Sequence, residues 1–156
     1  MLNEIEREKR RAEHLLYVSL KYAKTCDVIL NLIERWKHMI EICIDMLLKI
    51  AKKRKMIKII PTALKIREEL VMELFKEDIV QQTIKLYRFY RRVPDMEKIK
   101  EHEFRKNVVL RLIDLETSKE TEVDMDKLKE WHAVMDSFLK FIRNIGKKYK
   151  IKSEEG

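Results

Sequence analysis

Phosphate-cradling loops need several glycines, and this chain has only two, one of them the final residue. Walker and dinucleotide-binding fingerprints are excluded on that ground alone. Two prolines add little punctuation, so long helices meet few breakers. The only cysteines, Cys26 and Cys43, lie on the same expected helix, roughly 25 Å apart along its axis, too far for a disulfide within it. Both fall on the apolar face, where cysteine behaves as a small hydrophobe, and this usage fits a reducing cytoplasm. The opening MLNEIEREKRR has no signal-peptide apolar region, and no apolar run approaches membrane-spanning length. A soluble, cytoplasmic protein with no membrane insertion is expected. No serine sits in a nucleophile setting, and neither cysteine lies near a histidine in a diagnostic motif.

Charge is what the chain has in abundance: 40% of residues are charged and 46% hydrophobic, with a formal net charge of +8 over 156 residues. That balance describes one heavily charged helical domain able to bury its own core. Plentiful Lys, Glu and Ile suit a thermophile, in which ion-pair networks lose less to desolvation. A basic surface of this kind points to a polyanion, whether a nucleic acid such as RNA or a membrane surface.

The stretch from Cys26 to Ala51 organises the rest. Ile29, Ile33, Trp36, Ile40, Cys43, Leu47 and Ile50 recur at alternating spacings of four and three, and Val28, Leu32, Met39, Ile42 and Met46 widen their face. A helix apolar over more than half its circumference packs against at least two neighbours, so this is the centre of a bundle. Before it, residues 3–24 predict a helix with Ile5, Ala12, Leu16, Ser19 and Ala23 on one face and Leu15, Leu20 and Tyr22 broadening it. Thr25 and Asp27 can cap a fresh start, although one continuous helix over 3–51 is equally compatible with the pattern. After the Lys52–Lys55 run and the connector MIKIIP, a helix over 62–75 should bury Leu64, Ile66, Leu70, Val71 and Leu74. Asp78 with Gln81 suggests a capping box for the next helix, which must end before Pro94. Asp95 can cap a short helix carrying Met96, Ile99 and Phe104. NVVLRLIDLE and TEVDMD alternate as strands, predicting a β-hairpin at about 107–125 that packs on the bundle or pairs with another chain. Asp126 should cap the final helix, with Leu128, Trp131, Met135, Phe138, Ile142 and Ile145 as its seam and Gly146 at C′. The expectation is a mainly α, single-domain bundle of five or six helices over 1–149, one β-hairpin before the C-terminal helix, and a frayed basic tail over 150–156. Its core should include Ile33, Trp36, Ile40, Leu47, Leu70, Trp131, Phe138 and Ile142.

The stretch KLYRFYRRVP interleaves Tyr87, Phe89 and Tyr90 with Lys85, Arg88, Arg91 and Arg92, a pattern in which rings stack on bases and guanidiniums neutralise phosphates. The competing reading makes Tyr87 and Tyr90 core and the arginines a solvated helix face; if the segment does bind, Phe89 is the ring left to stack. Arg88, Arg91 and Arg92 stand at i, i+3 and i+4 and share one side of a helix. Lys52, Lys53, Arg54 and Lys55, with Lys58, form a second cationic cluster. Glu34, His38, Glu41 and Asp45 share a helix face, but their order is not the Glu-x-x-His of di-iron bundles, and no zinc-type Cys/His cluster occurs. His132 with Asp136, and Glu101-His102-Glu103, are weaker metal candidates still. No metal and no cofactor are expected, and no small-molecule substrate is identifiable.

The order of parts resembles small archaeal proteins that are themselves similar to the HEPN class of helical bundles. The residues carrying this are AEHLLYVSLKYAKTCDVILNLIERW, IKIIP, and EFRKNVVLRLID with VDMDKLKEW. The resemblance implies a metal-independent ribonuclease that uses an arginine and a histidine with four to six residues between them. Only Arg7 and His14 fit that spacing, in the first helix, whereas the class carries its motif late in the bundle. Arg105-Lys106-Asn107 stands in a better place and lacks the histidine. A non-catalytic binding or interaction protein, homo-oligomeric and able to bind RNA through a basic surface, is therefore the expected function. The HEPN-like ribonuclease using Arg7 and His14 is the alternative.

Overall fold

A computed structural model describes residues 1–149. The expected tail, residues 150–156, lies outside the described residues. The first helix, α1, consists of α-helical turns Leu2–His14, a π-helical turn Leu15–Ser19 and a closing turn Leu20–Tyr22. The helices α2 (Cys26–Lys53), α3 (Leu64–Leu74) and α4 (Asp78–Arg92) come next. A three-stranded sheet, β1 (Glu97–Glu101), β2 (Val109–Ile113) and β3 (Glu120–Val123), precedes α5 (Met125–Lys148). The protein is mainly helical, and no helix of the described residues is long and apolar enough to cross a membrane.

Residues 3–51 form two helices. Ala23 leaves the helical region, and the Thr25 hydroxyl accepts from the Val28 N–H at 3.3 Å, starting α2. The loop after β1 closes the gap: Cys26 N–H donates to Glu103 Oε2 at 3.0 Å, and Phe104 N–H donates to the Lys24 carbonyl at 2.7 Å. The π turn inserts an extra residue into the helical period and so rotates the last turn of α1 about the helix axis. Tyr22, expected inside, is therefore 80% exposed while Leu16 and Leu20 stay buried.

Fourteen side chains of α2 are buried, Cys43 among them, and burial pushes its thiol well above the ordinary range. Cys26 is also buried, its thiol pushed up to about 11 by burial and then by the Glu103 carboxylate. Trp36 stacks on Tyr90 at 6.2 Å between centroids, and Tyr90 meets Trp131 edge-on at 5.3 Å, tying α2, α4 and α5 together. Of the expected core, Leu70 is only partly buried; the other seven are in it.

Several local expectations give way. Leu64 and Ile66 are 53% and 54% exposed: Ile66 lies off the inward face that carries Glu68 and Val71, and Leu64, although on that face, stands at the first turn of α3 beside an open cavity. The short helix after Asp95 is strand β1, whose Ile99 opposes Arg111 of β2, so the expected hairpin is the β2–β3 part of an antiparallel sheet of order β1-β2-β3. Backbone pairing to β2 outweighs the weak helical spacing of Met96 and Ile99 in a segment otherwise rich in lysine and glutamate. Asp124, not Asp126, caps α5 by accepting the Lys127 N–H at 2.8 Å. Gly146 does not end α5; it lies inside the last turns, where a Cβ would come within 3.3 Å of Leu2 Cδ1. Gln81 donates to the Met72 and Phe75 carbonyls at the end of α3, in place of the capping box with Asp78.

Candidate polyanion-binding surface

Helix α4 sorts its residues by period. Thr83, Ile84, Tyr87 and Tyr90 turn inward, which leaves Lys85, Arg88, Phe89 and Arg92 toward the sheet. Tyr87 O–H donates to Glu41 at 3.0 Å; burial first, then that carboxylate, push its phenol well above the ordinary range. Phe89 is half-buried, tilted against Trp131 at 5.7 Å.

The three arginines are held by carboxylates. Arg88 Nε–H donates to Glu68 Oε1 at 2.8 Å, and Arg91 donates to the other oxygen of the same carboxylate. Glu68 is 1% exposed, so these pairs are what permits its burial. Arg91 also lies over the Tyr87 ring, 5.4 Å from its centroid. Arg92 donates to Asp114, whose other oxygen accepts the Glu116 N–H at 3.0 Å in the β2–β3 turn.

Between α4 and that turn lies a cleft of about 310 Å³, lined in part by Lys85, Arg88, Phe89, Arg92, Asp114 and Lys119. Lys85 and Lys119 have no carboxylate partner among the described residues and are exposed. A guanidinium carries five N–H donors, so a carboxylate bound at Nε or at one terminal nitrogen leaves others available. The cleft thus offers four cations, one carboxylate and an aromatic ring. A second cavity of about 310 Å³ has the opposite character: Glu41 and Glu68 line it with a single cation, Arg67, which itself binds Asp45 at 3.4 Å.

Lys52, Lys53, Arg54 and Lys55 end α2, and all are exposed without a carboxylate partner among the described residues. Met56 N–H bonds to the Ala51 carbonyl at 2.8 Å and Lys55 N–H to the Lys52 carbonyl at 3.0 Å, a Schellman closure with Lys55 at φ 61°. The Arg54 guanidinium sits 4.6 Å from the Tyr149 ring centroid, and Lys148 Nζ sits 5.4 Å from the same centroid. The C-termini of α2 and α5 therefore meet, and Lys148 joins the cluster. The sequence shows that each helix ends in a Lys-Lys pair, but their convergence is a tertiary fact.

The other candidates disperse. Glu34 pairs with Lys37 at 3.1 Å, His38 lies 3.9 Å from Glu8, Glu41 receives Tyr87, and Asp45 pairs with Lys49 at 3.0 Å. Glu101 binds Arg111, which also reaches Glu120 and Glu122, while Glu103 caps α2. Arg7 and His14 are exposed on α1, roughly 10 Å apart along its axis, with no carboxylate beside either among the described residues. His132 and Asp136 on α5 meet Glu13 of α1, one ligand atom of each lying within 4.8 Å of the others. Comparison with protein-family models, curated proteins and solved structures finds no match to this chain.

Proposed function

We propose that the chain is a non-catalytic binding protein for a polyanion of the RNA class. The observation that supports this reading most is the α4–sheet cleft, where Lys85, Arg88, Arg92 and Lys119 surround a half-buried Phe89. Cations along a groove neutralise phosphates, and a ring within it offers a stacking surface to any base. Glu68 and Asp114 fix the guanidiniums in place before a ligand arrives, which lowers the ordering cost of binding. Lys52, Lys53, Arg54 and Lys55 extend the positive field and steer association. Among the described residues no histidine lines the cleft, so it offers no imidazole to cleave a phosphodiester. A ribonuclease would have to act through Arg7 and His14 instead. Self-association belongs to the same reading, because Ile59, Leu64 and Ile66 are 79%, 53% and 54% exposed. A strictly monomeric species in sedimentation at high concentration overturns that part.

The deciding measurement is anisotropy with fluorescein-labelled single-stranded RNA across a salt series. Binding should weaken with salt, and the doubly substituted Lys85→Gln/Lys119→Gln chain should bind less tightly and with a flatter slope. Equal affinity and equal slope in parent and double variant would remove the cleft from the reading. RNA cleavage that disappears in His14→Ala would replace the reading with the nuclease.

A further inference from the structure

We propose that Glu13, His132 and Asp136 form a binding site for one divalent cation of the zinc or cobalt class, linking α1 to α5. This is independent of the polyanion reading. His132 and Asp136 stand four residues apart and so share one face of α5, toward Glu13 on α1. His132 Nε2 lies 3.5 Å from Glu13 Oε2. Two ligands bonded to a tetrahedral ion at about 2.0–2.1 Å stand about 3.4 Å apart, so this pair already has the edge length that a zinc ion requires. The third ligand atom is within 4.8 Å of both, a gap that one rotamer adjustment closes.

Two further observations point to an ion here. Directly at these groups is a cavity of about 10 Å³, backed by Trp36, Met39, Met135 and Leu139. That volume accommodates roughly one water-sized sphere. The Tyr17 hydroxyl lies 3.3 Å from His132 Nδ1, and its ring packs edge-on to the imidazole at 5.4 Å, which orients the imidazole with Nε2 toward Glu13. Metal-ligating histidines are held through their other nitrogen in this way. Asp136 makes no hydrogen bond or ion pair within 4 Å among the described residues, although Arg143 is near enough to feel its charge.

One imidazole and two carboxylates suit zinc, cobalt or nickel; magnesium and calcium take all-oxygen sets. Three protein ligands leave one tetrahedral position for water. The resident competitor is Lys9, whose Nζ lies 3.6 Å from Glu13 Oε2. Its ammonium holds the oxygen that the ion would take.

The test uses the full chain, stripped with chelator and titrated with Co²⁺ while the visible d–d absorption is read, then with Zn²⁺ by calorimetry. One equivalent should bind. His132→Ala and Asp136→Asn should each weaken binding by at least about tenfold. Asp136→Asn preserves side-chain volume and remains informative if the histidine variant misfolds. Lys9→Met should tighten binding by freeing Glu13. His14→Ala, His38→Ala and His102→Ala should leave the titration unchanged. Absence of cobalt absorption and of calorimetric heat at submillimolar metal, or binding retained in Asp136→Asn, overturns the site.

Discussion

The arginines of α4 and the cations ending α2 are runs of like charge, but the fold uses them in opposite ways. Every α4 arginine is engaged: Arg88 and Arg91 by Glu68, Arg92 by Asp114. None of Lys52, Lys53, Arg54 and Lys55 has a carboxylate partner among the described residues. The first group makes a buried carboxylate tolerable and shapes a cleft. The second complements the negative ends of two helix dipoles and otherwise faces water. Charge count therefore does not separate structural cations from available ones; the location of the nearest carboxylate does.

The largest expected effect breaks the first group. Arg88→Ala/Arg91→Ala leaves Glu68 buried without a cation, which should cost about 3–5 kcal/mol. In thermal unfolding this is a fall in Tm of about 10 °C. Lys52→Gln/Lys53→Gln removes the same charge and should change stability by no more than about 0.5 kcal/mol. Adding Glu68→Met to the arginine pair should recover most of the loss, since an apolar side chain needs no partner there. An unchanged Tm in Arg88→Ala/Arg91→Ala would show that Glu68 is not held by these pairs.

The second effect sharpens the comparison on the ligand side. In a single-stranded site, each cation that neutralises a phosphate adds about 0.7 to the steepness of the log–log salt slope. Lys85→Gln/Lys119→Gln should therefore flatten the RNA slope by about 1.4 if both lysines meet phosphate. Lys52→Gln/Lys53→Gln should slow association at low salt with a smaller change in slope. The reverse ranking would move the binding surface to the α2–α5 end.

Part of this contrast was legible in the sequence. Alternating spacings of three and four placed Trp36, Ile40 and Phe138 in the core because long amphipathic helices repeat one signal many times. The same period separated Tyr87 and Tyr90 from Phe89. Glu68 was not legible: the apolar residues of this short helix, Leu64 and Ile66 among them, do not single out one face, and only the arginines of a different helix make the inward glutamate acceptable. Strand β1 was hidden for a related reason, since EKIKE has no strong alternation of its own and is specified by its partner β2. The cleft needed Lys119 brought to α4 by the β2–β3 turn, and the proposed cation site needed Glu13 brought to His132. Both are contacts between distant segments, for which local pattern carries no information.

A third, smaller effect lies in the backbone of the unpaired cluster. Lys55 adopts φ 61° in the closure of α2, a conformation that favours glycine. Lys55→Gly should stabilise the protein by about 1 kcal/mol in denaturant unfolding while removing one cation. A destabilised variant would show that the lysine side chain makes a compensating contact there.

The smallest expected effect concerns Arg54, the member of the α2 run that meets an aromatic ring. Arg54 lies 4.6 Å from the Tyr149 ring centroid, within cation–π range, whereas Lys52 and Lys53 have no such contact among the described residues. At an exposed site the attraction is worth about 0.5–1 kcal/mol. Arg54→Gln alone would mix this with lost packing of the arginine stem and with relief of repulsion from Lys53 and Lys55. A double-mutant cycle with Tyr149→Leu removes those common terms. The coupling should be about 0.5 kcal/mol and should survive high salt better than the long-range repulsion among the lysines, because the ring meets the guanidinium at contact distance. Zero coupling would place Arg54 with its neighbours as a simply solvated charge. A coupling of the expected size makes it one of the contacts that join the ends of α2 and α5.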